Sequence, residues 1–97
     1  MTKCNTLSEV RTEVDKIDEK LIELISQRSH YIRQAATFKE SIEEVKTKDR
    51  IDTILKNARH RAIELGVSPN LISELFEIMI DEMVETEIAE LRNRNKF

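Results

Sequence analysis

The chain has 97 residues, of which 39% are hydrophobic and 36% are charged, with a net charge of -3 and one each of Gly, Pro and Cys. This length predicts one domain covering residues 1–97, and the scarcity of Gly and Pro favours long helices joined by few turns. The acidic balance argues against a nucleic-acid partner, and no apolar run is long enough to span a membrane. Because the first residues, MTKCNTLSEV, do not resemble a secretory signal and Cys4 is alone, we expect a cytoplasmic protein without a disulfide framework.

The first predicted helix begins at Thr6, which fits the N-cap of a capping box with Glu9 reaching back. Apolar residues then follow at alternating spacings of three and four, interrupted only by Arg28. This pattern predicts one helix from about residue 6 to about residue 41, roughly 50 Å long. The positions on this stripe are Leu7, Val10, Val14, Ile17, Leu21, Leu24, Arg28, Tyr31, Ala35 and Phe38.

The length of this helix bears on the oligomeric state. A compact domain of this size has a radius of gyration of about 13 Å, so a helix of roughly 50 Å projects beyond it. Its apolar stripe then needs a cover, and a second copy of the chain provides one. We therefore predict an intertwined homodimer. The alternative is a helix that breaks near Ser29 and folds back on itself.

Two further helices are predicted after a polar connection, SIEEVKTKD. Thr47 is positioned to cap the second helix, and Gly66 is positioned to end it. Ser68 and Pro69 then match the N-cap and first position of a third helix. The final residues, RNRNKF, are expected to fray. The fold class predicted from the sequence is therefore all-α, with three helices per chain and one very long N-terminal helix.

Arg28 and Lys39 are the first candidates for binding a ligand. They are eleven residues apart, so on a continuous helix they share a face, about 16 Å apart along the axis. Ala35 and Ala36 between them are small and leave room for a guest. The alternative is that Arg28 forms an internal ion pair with an acidic residue of the third helix.

Glu87 is the corresponding candidate on the third helix. It follows Phe76, Met79 and Met83 at spacings of three and four, which places a carboxylate on an apolar face. Burial there would raise its pKa. The alternative is that Glu87 forms a structural ion pair with Arg28 or Lys39.

Arg11 and Arg50 extend this set of cations. Arg11 lies seventeen residues before Arg28, about 25 Å along a helix, so the two cannot hold one small ligand within a chain. In an antiparallel dimer, Arg11 of one chain can approach Arg28 of the other, and Arg50 at the start of the second helix could close the pocket. Four cations from two chains indicate a small polyanionic ligand, and arginine can hold carboxylates in bidentate fashion. Without a metal-ligand pattern or a convincing nucleophile, we expect catalysis by positioning and electrostatics, with no metal and no cofactor.

These residues resemble those of a known enzyme family. The segment VRTEVDKIDEKLIELISQR, the later YIRQAATFK, then Arg50 and Glu87 are similar to the all-helical, type II chorismate mutases. The resemblance covers about residues 5–93. The YIRQAATFK segment is especially similar to the sister branch, the isochorismate-pyruvate lyases of salicylate biosynthesis.

The resemblance implies an entwined dimer with two active sites, converting chorismate to prephenate by a Claisen rearrangement. By this comparison, Arg28 and the partner chain's Arg11 hold the substrate carboxylates. Lys39 and Glu87 donate hydrogen bonds to the ether oxygen, and Arg50 helps to enclose the substrate. Such donors lower the barrier because they face the charge that develops in the transition state.

Three positions depart from the commonest mutase pattern. Glu87 stands where Gln is frequent, so it must be protonated to donate a hydrogen bond. Ile51 stands where many mutases have Glu, and the lyase branch has an apolar residue there. Met83 replaces a small hydroxyl residue. The lyase reaction is therefore an alternative function, and a non-catalytic helical dimerisation module, with its cations held in ion pairs, is another.

Overall fold

The computed structural model describes residues 3–94, and they form four helices and no strand. The helices are α1 (Leu7–Ala36), α2 (Ile42–Val45), α3 (Lys48–Leu65) and α4 (Pro69–Arg94). The all-α prediction is confirmed, and the three long helices are those expected. The chain divides into two compact units, Met1–Tyr31 and Ile32–Phe97.

The first unit is formed by α1 and the residues that cap it. The Glu9 amide donates a hydrogen bond of 3.1 Å to Thr6 Oγ1, which confirms Thr6 as the N-cap. The Glu9 carboxylate accepts a hydrogen bond of 2.7 Å from the Asn5 amide, one residue further back than a capping box requires.

The apolar stripe of this unit is exposed in a single chain. Among its large apolar side chains, Val10 is the least exposed, at 44%, and Tyr31 is the most exposed, at 66%. The predicted continuity of the helix through Ser29 is confirmed, because α1 continues past that residue without interruption, and the alternative of a break there is excluded.

In the second unit, α1 ends at Ala36 and not near residue 41. The next three amides, of Thr37, Phe38 and Lys39, each donate to the carbonyl three residues earlier, at 3.0–3.2 Å. This tighter pattern closes the helix. Phe38, in this closing turn, is 82% exposed. Lys39 therefore lies beyond the helix.

The polar connection contains a helical turn that its composition did not predict. Ser41 is the N-cap of α2 and accepts a hydrogen bond of 3.4 Å from the Glu44 amide. The Glu44 carboxylate accepts a hydrogen bond from the Glu40 amide, and Val45 is buried. Thr47 precedes α3 as predicted, but its hydroxyl donates to the Glu44 carbonyl at 2.7 Å and does not cap the helix.

The turn between α3 and α4 agrees with the sequence. Gly66 adopts a left-handed conformation with φ 73°, and the Val67 amide donates to the Ala62 carbonyl at 2.9 Å. Ser68 Oγ accepts a hydrogen bond of 3.2 Å from the Leu71 amide, and Pro69 begins α4.

The second unit has its own core, in which α4 contacts both α3 and α2. The helix α4 extends to Arg94, so the prediction of fraying from residue 92 is wrong up to that point. Residues 95–97 lie outside the described part of the chain. The buried apolar residues are Ala36, Val45, Ala62, Ile80, Ile88 and Leu91.

Candidate functional site

Glu87 is the one buried charged residue within residues 3–94, with 3% of its surface exposed. It lies on the face of α4 that buries Ile80 and Leu91, which are seven residues before it and four after it. Burial raises the pKa of the Glu87 carboxyl, while the positive charge of Lys39 acts in the opposite direction. The prediction of a buried carboxyl with a raised pKa is confirmed.

Lys39 is half-buried and is held by the segment around α2. Its ammonium group donates a hydrogen bond of 3.2 Å to the Glu44 carbonyl. The expectation that Lys39 shares a helical face with Arg28, with Ala35 and Ala36 as a floor, is wrong, because the helix ends at Ala36. Ala36 itself is buried in the core of the second unit. Lys39 therefore lies in the turn that follows α1 and not on the helix itself.

Ion pairs within the described residues do not involve the candidate cations or Glu87. Three ion pairs are present, Glu13–Lys16, His60–Glu64 and Arg61–Glu64, with N···O distances of 3.2, 3.7 and 3.8 Å. All three join exposed side chains on adjacent turns of one helix, where such pairs contribute little to stability. The structural ion pairs considered as alternatives for Arg28 and Glu87 are absent from this part of the chain.

Arg50 and Ile51 lie in the first turn of α3, where Arg50 is exposed and Ile51 is half-buried. Ile51 lines a groove of about 560 Å³ between α3 and α4. The groove's apolar lining is completed by Leu55, Ile80 and Val84, while its charged lining consists of Lys46, Glu77, Asp81, Glu82 and Glu85. Met83 is half-buried on α4 and does not line this groove.

The two remaining candidates, Arg11 and Arg28, belong to the first unit. Both lie on α1, where Arg11 is exposed and Arg28 is half-buried. Their separation of seventeen residues along one helix is too large for a shared small ligand, so their joint role depends on a second chain.

One residue near the site was missed from the sequence. Arg94, in the last turn of α4, donates hydrogen bonds to the carbonyls of Ala36, Thr37 and Lys39. A basic residue at a helix end is a weak signal in the sequence, since its usual partners are the carbonyls of its own helix.

Neither a metal site nor a membrane span is found in residues 3–94. No group of three or more His, Cys, Asp or Glu side chains there could hold a metal ion. Likewise, none of the described helices has the length and apolar character needed to cross a bilayer.

The buried carboxyl group of Glu87 and the positive charge of Lys39, which acts on its pKa, are the two ionisable groups that this part of the structure couples. The chain belongs to the chorismate mutase type II family, whose family model matches residues 10–88.

Two relatives of this chain are named for different reactions. The chain is 27% identical to the chorismate mutase of Methanocaldococcus jannaschii over 94 residues, which cover 93% of this chain and 95% of the relative. It is also 25% identical to the isochorismate pyruvate lyase of Pseudomonas aeruginosa over 85 residues, which cover 88% of this chain and 84% of the relative.

Proposed function

We propose that the protein is a chorismate mutase, which converts chorismate to prephenate. The observation that carries this proposal is the buried Glu87 carboxyl, whose pKa is raised by burial close to a half-buried lysine. A carboxyl group with a raised pKa keeps its proton to higher pH, and in the protonated form it can donate a hydrogen bond to the substrate. The family match and the relative named chorismate mutase support the same conclusion.

The proposed mechanism assigns two donors to the reacting ether oxygen. In the rearrangement this C–O bond breaks while a C–C bond forms in the same molecule, and negative charge grows on the oxygen. The Lys39 ammonium and the protonated Glu87 donate hydrogen bonds to that oxygen and lower the barrier. No group leaves the substrate, so the proposed chemistry needs no cofactor.

The cations are proposed to bind and orient the substrate. Arg28 and the partner chain's Arg11 hold its two carboxylates, and Arg50 encloses it, with Ile51 and Met83 completing the lining. Bidentate arginine–carboxylate pairs fix a dianion in a reactive conformation and exclude water from it.

The proposed active form is an intertwined homodimer in which residues 1–97 of each chain make one domain. The stripe on α1 supports this, since its large apolar side chains are 44% to 66% exposed in a single chain. Contiguous apolar surface of this kind marks an interaction site. A second copy of α1, with the same spacing of three and four, matches this surface.

The isochorismate-pyruvate lyase reaction is the second candidate. The half-buried, apolar Ile51 favours it, because a mutase commonly has a glutamate there to meet the substrate's ring hydroxyl. The relative from Pseudomonas aeruginosa, which carries that name, adds support. Both reactions use a dicarboxylate substrate and the same cations.

One assay separates these candidates. The purified protein is incubated with chorismate and with isochorismate, and prephenate, salicylate and pyruvate are measured. Prephenate from chorismate is the expected product, whereas salicylate and pyruvate from isochorismate alone would identify a lyase. If neither substrate is converted by a folded dimer, the protein is a non-catalytic helical dimerisation module.

A mixing experiment tests the shared site. Arg11→Ala and Arg28→Ala should each be inactive, since every site then lacks one arginine. In a mixed dimer, one site combines Arg28 of the first variant with Arg11 of the second and is intact. Random exchange gives heterodimers in half of the population, so about a quarter of wild-type activity should return. If no activity returns although mass spectrometry shows heterodimers, the two arginines do not share a site.

A further inference from the structure

The guanidinium group of Arg94 spans the turn that follows α1. Its Nη1 donates to the carbonyls of Ala36 and Thr37, at 3.4 and 3.0 Å. Its Nη2 donates to the carbonyl of Lys39. The last carbonyls of a helix lack partners within it, and a planar guanidinium with several donors can satisfy a group of them at once.

These contacts hold the main chain of Lys39, which the proposed function makes a donor to the ether oxygen of the substrate. We propose that Arg94 is a positioning residue that fixes the main chain of Lys39 and thereby keeps the Lys39 ammonium group near Glu87. This inference rests on the proposed roles of Lys39 and Glu87.

Besides the turn hydrogen bond of its own amide, Lys39 is held by two hydrogen bonds, which we call its anchors. Arg94 holds its carbonyl, and the Glu44 carbonyl accepts a hydrogen bond of 3.2 Å from its ammonium group. The second anchor acts on a long, flexible side chain and cannot by itself fix the backbone. Without Arg94, the main chain from Thr37 to Lys39 keeps its three successive turn hydrogen bonds, and the Thr37 hydroxyl keeps its bond of 2.7 Å to the Gln34 carbonyl.

The helix α4 supplies both the acid and the residue that positions the lysine. Glu87 and Arg94 are seven residues apart, close to two helical turns, and therefore lie on similar faces of α4. A rigid helix thus sets the distance between the carboxyl group and the anchor of its partner. Sites supported in this way hold their geometry better than sites carried on loops alone.

The pKa of Glu87 is a sensitive reporter of the position of Lys39. The charged residues on α2, on α3 and elsewhere on α4 are exposed, as is Arg33 near the end of α1. Lys39 is half-buried, and its charge lowers the pKa of Glu87 against the effect of burial. Displacement of Lys39 should therefore raise the pKa of Glu87 further.

The test compares Arg94→Met, Arg94→Lys and the control Arg92→Met. Arg92 is an exposed basic residue in the same last turn of α4. The titration of the Glu87 carboxyl is followed by carbon-13 NMR in the ligand-free dimer. We expect Arg94→Met and Arg94→Lys to raise the pKa of Glu87 and Arg92→Met to leave it unchanged. Lysine keeps the charge but lacks the planar fork, so it cannot span the three carbonyls.

Turnover gives the second readout. Arg94→Met should lower kcat about 10- to 100-fold with little change in KM, because displacement of a donor by about 1 Å has effects of this size and the carboxylate-binding arginines are intact. An unchanged Glu87 titration in Arg94→Met overturns the proposal, and so does a wild-type titration in Arg94→Lys, which would indicate a role for charge alone. If Arg94→Met loses helical content by circular dichroism, Arg94→Lys decides the question.

The proposed function and the proposed role of Arg94 are tested by different measurements. If the wild-type dimer converts neither chorismate nor isochorismate, the enzymatic assignment is wrong. The NMR titration still decides whether Arg94 positions Lys39, because it needs no substrate.

Discussion

The two units of this chain acquire their stability in different ways. The first unit, up to Tyr31, is one helix whose large apolar side chains are at least 44% exposed. The second unit, from Ile32 onward, packs α2 and α3 against α4 and buries both an apolar core and Glu87. The first unit therefore leaves its apolar stripe exposed in a single chain, and the proposed dimer would cover it.

This difference predicts where substitutions act. A change on the stripe of the first unit should alter association and depend on protein concentration. A change inside the second unit should alter the chemistry of Lys39 and Glu87, or the stability of each chain, without changing association. The predictions below test that contrast, beginning with the largest expected effect.

Leu21→Glu should separate the dimer. Leu21 is on the stripe and is 51% exposed in a single chain. Full burial of a leucine is worth about 1.5–3 kcal/mol, and association can bury only the exposed half of Leu21, so the loss is about 0.8–1.5 kcal/mol per chain and about 1.5–3 kcal/mol per dimer before the cost of the added charges. Analytical ultracentrifugation should show monomers at concentrations where the wild type is dimeric.

The matched control for that change is Ser26→Glu. Ser26 is exposed and lies on the opposite face of α1, about 140° from Leu21 at 100° per residue. It adds the same charge without meeting the stripe. An unchanged dimer in Leu21→Glu, or equal dissociation in both variants, would contradict a dimer formed through the stripe.

Lys39→Ala should abolish most turnover while the dimer persists. Removal of one preorganised donor to a developing oxyanion costs about 10²- to 10³-fold in kcat. The control is Lys48→Ala, an exposed lysine in the first turn of α3. Steady-state kinetics and sedimentation measured on the same samples check both parts. An active Lys39→Ala would end the assignment of Lys39 as the donor to the ether oxygen.

The ends of the helices were predictable where the signal is local. Thr6, Gly66 and Ser68 act through hydrogen bonds or backbone conformations within a few residues, and each occupies its expected position. The end of α1 was not predictable in this way. It involves Arg94, whose bond to the Thr37 carbonyl joins residues 57 positions apart.

Like the helix ends, the candidate site was predictable from the sequence only where the signal lies within one helix. The burial of Glu87 follows from its spacing with apolar residues on one helix. The position of Lys39 does not follow from helical periodicity, because residues beyond a helix end are placed by tertiary contacts. Residue spacing within one sequence does not show which residues of two chains would meet in a shared site. The roles of Arg11 and Arg28 therefore stay predictions.

Glu87→Gln should remove the pH dependence of kcat that arises from the buried Glu87 carboxyl in the second unit. Burial raises the pKa of Glu87 above its ordinary value of 4.5. If the protonated form donates to the ether oxygen, kcat falls as pH rises through that pKa, whereas glutamine donates at every pH. The pH–rate profile of wild type and variant checks this, with the exposed Glu90→Gln as control. A flat wild-type profile would reject the role of a protonated Glu87.

The Glu87 carboxyl should also make the free energy of unfolding depend on pH. Between pH 4.5 and the raised pKa, the unfolded chain has released the Glu87 proton while the folded chain still binds it. The free energy of unfolding therefore decreases as pH rises through this window, and it is unaffected by this group below it. Glu87→Gln should remove that decrease in denaturant titrations, while a decrease of the same size in the variant would assign it to other groups.

Gly66→Ala should have the smallest effect and should be confined to chain stability. Gly66 has φ 73°, and a Cβ added there would meet no atom within 4 Å. The cost is therefore backbone strain without a clash, about 1–2 kcal/mol per chain. Gly66→Asn should cost less, since asparagine tolerates this conformation better. Urea denaturation at fixed protein concentration measures both changes. Because Gly66 belongs to the second unit and is not part of the stripe, the dimer dissociation constant should stay at its wild-type value. Weaker association in Gly66→Ala would contradict the separation of association from chain stability.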